Sequence, residues 1–148
     1  RMNNMMRVKV AQSETDINTA FSIRKTVFVE EQKVPLALEI DEYEQESTHF
    51  ILYGPKQNPI GAGRLRLVDG YGKVERICIL ASERIKGAGR TLMEGIEEFG
   101  KERGIRSFKL NAQTSAIGFY ERLGYHTISE EFMDAGIPHK TMVKQITG

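Results

Sequence analysis

The sequence contains few residues that could cross-link the chain or hold a metal. Cys78 is its one cysteine, so no disulfide can form within the chain, and its three histidines lack the spacing of a zinc site. No apolar run approaches the roughly 18 residues of a membrane span, and no signal peptide is recognisable at the start. We therefore expect a globular, cytoplasmic protein that holds no metal and contacts no membrane.

The charges of the chain are nearly balanced. Lys and Arg number 21, Asp and Glu number 20, and the formal net charge is +1. This balance gives no reason to expect a nucleic acid or a membrane surface as a partner. Apolar residues make up 40% of the 148 residues and charged residues 28%, which is ordinary for a soluble chain with a hydrophobic core. We expect a single domain over residues 1–148.

Residues 73–104 combine a strand, a loop with two glycines and a helix. Residues 74–80 are β-branched and apolar, as in a buried strand. After the loop, Leu92, Ile96 and Phe99 fall on one face of a helix that Gly104 ends. This order is typical of a phosphate-binding site, because the positive end of the helix dipole faces the loop.

The loop has the pattern Arg-x-x-Gly-x-Gly over residues 84–89. Gly87 and Gly89 let backbone N–H groups approach an anion without a side chain in the way. Three basic residues add full charges: Arg84, Lys86 and Arg90. The spacing excludes a Walker A loop and the dinucleotide fingerprint. Two interpretations stay open at this point, a phosphate loop or glycines that permit tight packing.

The N-terminal part predicts a strand over residues 5–10 and a helix capped by Ser13. Arg24 falls on the apolar stripe of this helix, where it either pairs with a buried carboxylate or faces a pocket. An acidic stretch follows, made of Glu39, Asp41, Glu42, Glu44 and Glu46. A solvated loop is the favoured interpretation of such a stretch, and the alternative is an acidic rim that attracts a cationic substrate.

The remaining pattern predicts a mixed α/β fold. Further strands are expected over residues 50–53, 60–68, 74–80, 107–111, 125–132 and 141–146. The first three of these form an antiparallel meander, and Arg64 and Arg66 share one face of the second. The fourth follows a helix and should run parallel to the third. We expect one sheet, mostly antiparallel, with a parallel central pair and flanking helices.

The second half carries a further motif. Residues 110–113 (LNAQ) precede the pattern Phe-Tyr-x-x-x-Gly-Tyr at residues 119–125. Together with the glycine loop and the element order, this motif resembles the GNAT superfamily of N-acetyltransferases. Residues 24–32 (RKTVFVEEQ), 39–42 (EIDE) and 134–139 (DAGIPH) are similar to its small bacterial ElaA/YjcF-like branch. The resemblance thus covers nearly the whole chain.

The resemblance implies an N-acetyltransferase that takes acetyl-CoA as its co-substrate between two splayed central strands. By the same resemblance, the backbone of residues 77–79 pairs with the pantetheine arm, Asn111 hydrogen-bonds that arm, and the glycine loop holds the pyrophosphate. Tyr120 matches the tyrosine assigned as general acid, although it could instead be a core tyrosine. The implied cofactor-binding residues are Ile77, Cys78, Ile79, Arg84, Ile85, Lys86, Gly87, Ala88, Gly89, Arg90, Asn111 and Tyr120.

The general base is less defined by the sequence. Glu75 lies on the central strand beside the expected thioester and is the first choice, acting directly or through water. Its alternative is a structural partner for Arg64, Arg66 or Arg76. Cys78 could suggest an acyl-cysteine scheme, but a small buried residue is favoured because no histidine lies near it in sequence.

We expect the acceptor to be a small molecule with a primary amine, with a phosphorylated amino sugar or a protein amine as alternatives. Its predicted contacts are Arg24, Phe28, Arg64, Asp134 and His139. A homodimer is one possible assembly. A second class of function stays open, a CoA-binding sensor without turnover, which would need the glycine loop but neither Tyr120 nor a base.

Overall fold

A mixed sheet of eight strands organises residues 5–147, the part of the chain that the computed structural model describes. The strands are β1 (Arg7–Ala11), β2 (Thr48–Tyr53), β3 (Pro59–Val68), β4 (Tyr71–Ile79), β5 (Ser107–Gln113), β6 (His126–Thr127), β7 (Phe132–Asp134) and β8 (Ile137–Gln145). The helices are α1 (Glu14–Arg24), a π-helical segment (Lys25–Glu31), α2 (Leu36–Glu39), α3 (Ala88–Glu102) and α4 (Ile117–Arg122). Short 3-10 turns at Ala81–Glu83 and Thr114–Ala116 precede α3 and α4.

The strands lie in the order β1-β2-β3-β4-β5-β8-β6, and β7 pairs with β8. Every neighbouring pair is antiparallel except β4 and β5, which are parallel because the crossover through α3 returns the chain in the same direction. The predicted fold is therefore confirmed: a mixed α/β fold whose sheet is mostly antiparallel, with one parallel central pair and flanking helices.

The central pair parts soon after it begins. β4 and β5 pair at Gly72 with Phe108 and at Lys73 with Lys109, and at no later residue of either strand. β4 also carries a bulge, because Ala62 and Arg64 of β3 pair with Cys78 and Glu75, which leaves two residues of β4 opposite one of β3. The parting leaves a cleft between the two strands.

Helices cover both faces of the sheet. α3 packs on one face, where Leu92 and Ile96 are fully buried as the predicted apolar stripe requires. α1 packs on the other, where Ala20 and Ile23 belong to a separate cluster. A Cβ on Gly95 of α3 would lie 2.6 Å from Cγ2 of Val8, so this glycine allows α3 to contact β1 closely. β4 is thus held between two cores, and the cleft opens at its unpaired edge.

Several strand predictions need correction. β4 begins at Tyr71 and β8 at Ile137, three and four residues earlier than predicted. β1 begins at Arg7, two residues later than predicted. The strand expected over residues 125–132 is wrong, because only His126–Thr127 and then Phe132–Asp134 pair with β8. Between them, Ser129 Oγ accepts the backbone N–H of Thr141 at 2.8 Å, so a side chain takes the place of a strand carbonyl.

The first helix begins as predicted and ends differently. Ser13 caps α1, since its Oγ accepts the backbone N–H of Asp16 at 3.1 Å. The chain then continues beyond Arg24 as the π-helical segment, which the sequence pattern did not indicate. π-helical turns occur often at functional sites, and this one places Phe28 on the wall of the cleft.

Candidate active site

A cleft of about 1520 Å³ lies where β4 and β5 part. β4 and the loop before α3 contribute to its lining, as do β5, α4 and the turn between β7 and β8. Most predicted site residues line it: Phe28, Glu75, Ile77, Cys78, Ile79, Arg84, Ile85, Lys86, Gly87, Ala88, Gly89, Arg90, Asn111, Tyr120, Asp134 and His139. The structure thus brings the two sequence motifs together around one space. Arg24 and Arg64 lie outside the lining and are fully buried.

The two glycines of the loop serve different purposes. Gly87 precedes α3 with a φ of +87°, a left-handed conformation that favours glycine. A Cβ on Gly89 would lie 2.8 Å from Cζ of Phe119, so Gly89 allows α3 and α4 to pack closely. Tight packing therefore explains Gly89 without any ligand. The first turn of α3 still lines the cleft, where its unpaired N–H groups and positive dipole end suit an anion.

The basic residues of the loop differ in their partners. Arg84 donates to both carboxylate oxygens of Glu31, at 2.9 and 2.8 Å, and to the carbonyl of Ile79 at 3.0 Å. Its hydrogen bonds hold the pKa of Glu31 below the ordinary value. Arg90 makes a contact of 3.5 Å with Glu94, and both side chains are exposed. Within residues 5–147, Lys86 makes no ion pair. A phosphate can reach Lys86 and Arg90 directly, whereas Arg84 must first leave Glu31.

Tyr120 is buried beside the cleft and keeps its proton. Its ring packs edge-on against Phe119 and Tyr125, and its hydroxyl makes no hydrogen bond to the described residues. Burial raises the pKa of Tyr120, and the neighbouring thiol of Cys78 adds to the effect. Burial also raises the pKa of Cys78 to about 12, so that thiol stays neutral and is a poor nucleophile. Tyr120 is therefore a phenol with a free donor.

Glu75 is held by cations. Its Oε1 accepts from Nε of Arg64 and from Nε of Arg66, both at 2.9 Å, and Lys73 lies 3.6 Å from Oε2. Burial alone would raise the pKa of Glu75, but the hydrogen bonds and charges of the two arginines outweigh it and lower the pKa. A carboxylate held in this way is a weak base. The contacts match the alternative interpretation of Glu75 as a structural partner, and its role as base stays a prediction.

The acidic stretch is largely enclosed, and its interpretation as a solvated loop is wrong for Glu39, Asp41 and Glu44. Glu39 and Glu44 accept hydrogen bonds of 2.6 to 2.9 Å from Arg24. Asp41 accepts two from Arg64, at 2.8 and 2.9 Å. The exposed fractions of the Arg24 and Glu39 side chains are 0% and 2%. Arg24 therefore pairs with enclosed carboxylates, which was one of the two interpretations of this residue. Neither Arg24 nor Arg64 lines the cleft.

Asp134, the last residue of β7, and His139, the third residue of β8, approach the cleft on either side of the turn between these strands. Nδ1 of His139 lies 2.7 Å from the carbonyl of Ile137, which can only accept, so Nδ1 carries the proton. The ring stacks on Phe132, with centroids 6.0 Å apart and planes 22° apart. With the proton on Nδ1, Nε2 is the ring nitrogen that can accept, and His139 lines the cleft. Asp134 is exposed there.

Several lining residues were missed by the sequence reasoning. Tyr43 and Lys73 line the cleft, and Gln113 of β5 donates to Gln32 at 2.9 Å, linking β5 to the end of the π-helical segment. Lys73 had a signal in the sequence, since it lies two residues before Glu75 on the same strand and so shares its face. Gln32 had none, because its contact with Gln113 joins residues 81 positions apart.

A parallel strand pair that parts beside a glycine loop and the start of a helix is the arrangement that the resemblance implies for an acyltransferase, and the match to known acetyltransferases shows that the protein is an acyltransferase enzyme. The particular family follows from comparison with known proteins. The Acetyltransferase (GNAT) domain matches residues 11–146, and the chain belongs to this family. The family uses acetyl-CoA as its co-substrate.

Individual relatives agree with this assignment. The chain is 49% identical over 140 residues to YjcF of Bacillus subtilis strain 168, described as an uncharacterised N-acetyltransferase, covering 94% of this chain and 99% of that one. The crystal structure of Escherichia coli ElaA superposes with a TM-score of 0.83 at 19% identity, over 95% and 99% of the two chains. A GNAT acetyltransferase of Elizabethkingia anophelis with acetyl-CoA bound gives a TM-score of 0.74 at 11% identity, over 97% and 99%. The resemblance to the ElaA/YjcF-like branch is confirmed. Within residues 5–147, no helix has the length and apolar character to cross a membrane.

Proposed function

We propose that the protein transfers the acetyl group of acetyl-CoA directly to the primary amine of a small-molecule acceptor. The observation that carries the proposal is the parting of β4 and β5 beside the start of α3. The free edge of β4 offers backbone groups to a pantetheine arm, and the first turn of α3 with Lys86 and Arg90 offers donors to a pyrophosphate. A cytoplasmic location, a single domain over residues 1–148 and a homodimer stay predictions.

The bulge of β4 suits the thioester oxygen. In the transferring state this oxygen gains negative charge, which a preorganised backbone N–H stabilises. A bulge leaves a ladder group without its usual partner, and the bulge of β4 lies between Glu75 and Cys78 on the cleft wall. We assign the thioester oxygen to a backbone N–H of the bulge between Glu75 and Cys78. Asn111, whose Oδ1 accepts from Thr141 Oγ1 at 2.8 Å, keeps its amide N–H₂ for the pantetheine arm.

Tyr120 is assigned to the leaving thiolate. A free thiol has a pKa of about 8.5 and a tyrosine about 10, so full proton transfer to the thiolate is uphill. The raised pKa of buried Tyr120 increases that difference, so the phenol acts chiefly by donating a hydrogen bond to the developing charge. Its unpartnered hydroxyl is available for this bond.

We assign to His139 the role of the general base that removes a proton from the acceptor amine. A lysine-like amine has a pKa of about 10.4 and must lose a proton before it attacks. The hydrogen bond to the Ile137 carbonyl fixes the proton on Nδ1 and leaves Nε2 as the acceptor. Glu75 remains the predicted alternative through water, but its charge is already committed to Arg64 and Arg66.

The proposal is tested by acetyl-CoA-dependent release of thiol with a panel of amines and amino sugars. Turnover with at least one small amine is expected. Absence of turnover with every amine, in a protein that binds CoA, would favour the sensor without turnover. Turnover with lysine-containing peptides alone would assign the acceptor to a protein amine instead.

The position of the pyrophosphate has its own test. Lys86→Gln and Arg90→Gln should each weaken CoA binding about tenfold by calorimetry, the loss expected for a hydrogen bond to a charged group. Lys101→Gln is the matched control, since Lys101 lies in the last turn of the same helix and is exposed. A Gly89 variant would be less informative, because its side chain would displace Phe119. Unchanged affinity in both folded loop variants would place the pyrophosphate elsewhere.

A further inference from the structure

Three cationic side chains lie in a row across the central strands. Arg66 of β3 pairs in register with Lys73 of β4, and Lys73 pairs in register with Lys109 of β5. Residues directly opposite on neighbouring strands project from the same face of a sheet. The row lies where β4 and β5 are still paired, at the end of the cleft that this pairing closes. Arg66 and Lys73 also line the cleft.

The row has more positive charge than its surroundings balance. Among residues 5–147, Glu75 is the one carboxylate within 4.0 Å of any of the three, and Glu75 also accepts from Arg64. Arg66 lies 3.9 Å from the ring centroid of Tyr43, and Lys109 lies 4.4 Å from that of Tyr71. These rings hold the cations in place without neutralising them.

A row of like charges lowers the stability of the sheet unless an anion binds beside it. Like charges directly opposite on neighbouring strands destabilise a sheet. Solvation does not fully relieve the repulsion, because the exposed fractions of the Arg66 and Lys73 side chains are 12% and 24%. The cleft carboxylates Glu39 and Asp41 are bound to other arginines, and Glu42 and Asp134 are exposed and make no ion pair with the row. An anion is the partner that this end of the cleft lacks.

We infer that the acceptor is a small primary amine that also carries a phosphate or carboxylate group, which binds to Lys73 together with Arg66 and Lys109. The inference rests on the proposed function. Ile77 lies in the bulge to which the thioester oxygen is assigned. Lys73 lies four residues before Ile77, so the Cα atoms of these two residues are roughly 13 Å apart along the strand. The lysine side chain spans part of this distance. An acceptor of the size of an amino sugar phosphate or a basic amino acid therefore reaches from the anion subsite to the expected thioester, whereas a short monoamine fills one end alone.

Matched acceptor pairs test the inference. Glucosamine 6-phosphate is compared with glucosamine, and lysine with lysine amide, so that the members of each pair differ in the anionic group and the two pairs distinguish phosphate from carboxylate. For wild-type protein, kcat/KM of the anionic member should exceed that of the neutral member at least tenfold in one pair. Lys73→Gln and Lys109→Gln should lower this ratio about 10- to 100-fold, as expected for lost hydrogen bonds to a charged group. Lys56→Gln, on the exposed loop between β2 and β3, should leave the ratio unchanged.

The outcomes separate the inference from the proposed function. Turnover with equal kcat/KM for both members of both pairs, or a ratio that survives in the Lys73 and Lys109 variants, would overturn the anion subsite and leave the acetyl transfer intact. If no amine is turned over, the proposed function fails, and the subsite is then tested by calorimetry with inorganic phosphate on protein saturated with CoA. Binding that Lys73→Gln weakens tenfold supports the subsite. No binding, or equal binding to this variant, refutes it.

Discussion

Replacing Arg24 with methionine tests whether this residue is part of the core or of the acceptor site. Its guanidinium is 0% exposed and donates to Glu39 at 2.6 Å, to Glu44 at 2.9 and 2.7 Å, and to the Glu39 carbonyl at 2.7 Å. Methionine fills similar space but leaves two enclosed carboxylates without this partner. Breaking a buried pair from one side costs about 3–5 kcal/mol. For a chain of this length, that loss lowers Tm by roughly 6–20 °C.

Urea and thermal denaturation of the two proteins measure the loss directly. Arg90→Met is the matched control, because its contact with Glu94 is 3.5 Å long and both side chains are at least half exposed. Its effect should stay within about 0.5 kcal/mol. An Arg24→Met protein whose stability falls by less than about 1 kcal/mol, while its KM for the acceptor rises, would refute the structural reading and return Arg24 to the acceptor site.

Three further results are expected. Tyr120→Phe keeps the ring and loses the donor, so kcat should fall about 10²- to 10⁴-fold with the CoA dissociation constant unchanged; near-full kcat, measured where chemistry limits the rate, would return Tyr120 to the core. His139→Gln should lower kcat more than Glu75→Gln does in steady-state assays, and the reverse order would restore Glu75 as the base. Burial would raise the pKa of Asp41, but hydrogen bonds from Arg64 and the Tyr43 N–H hold it at about 2, below the ordinary 3.8. Its contribution to stability is therefore present above about pH 4 and lost as the pH falls towards 2. Acid denaturation should show this loss in the wild type and a weaker dependence in Asp41→Asn.

The sheet could be predicted from the sequence because its signals are local. Alternation and turn residues indicated the β2–β3–β4 meander, and the α3 crossover required β5 to run parallel to β4. The strand expected over residues 125–132 failed for an equally local reason, since the hydroxyl of Ser129 replaces one ladder contact. A short apolar run in the sequence does not indicate that a side-chain hydroxyl will take the place of a backbone carbonyl.

The charged part of the site was harder to predict because its contacts are long-range. A stretch of acidic residues is usually solvated, and nothing within it indicates that Glu39 will be 2% exposed. Its partners Arg24 and Arg76 lie 15 and 37 residues away. The sequence did show that Arg64 and Arg66 share a strand face, but not which carboxylates would meet them. Pairing of this kind becomes visible once the topology brings α2 onto β4.

The same pairing connects the acidic stretch to the shape of the cleft. Arg76 lies in the bulge of β4 with a φ of +61°, a conformation that costs a non-glycine residue about 1–2 kcal/mol. Its guanidinium donates to the carbonyls of Leu38 and Glu39 at 3.0 and 3.1 Å and to Asp41 at 3.1 Å. Residues 38–41 therefore hold the bulge in the strand that borders the cleft. Because their carboxylates are used in this way, they have little charge left to attract a cationic acceptor. At the end of the cleft where β4 and β5 are still paired, the charge that Glu75 leaves unbalanced is positive, at Lys73 and its neighbours in the row, and it favours an acceptor that carries an anion as well as an amine.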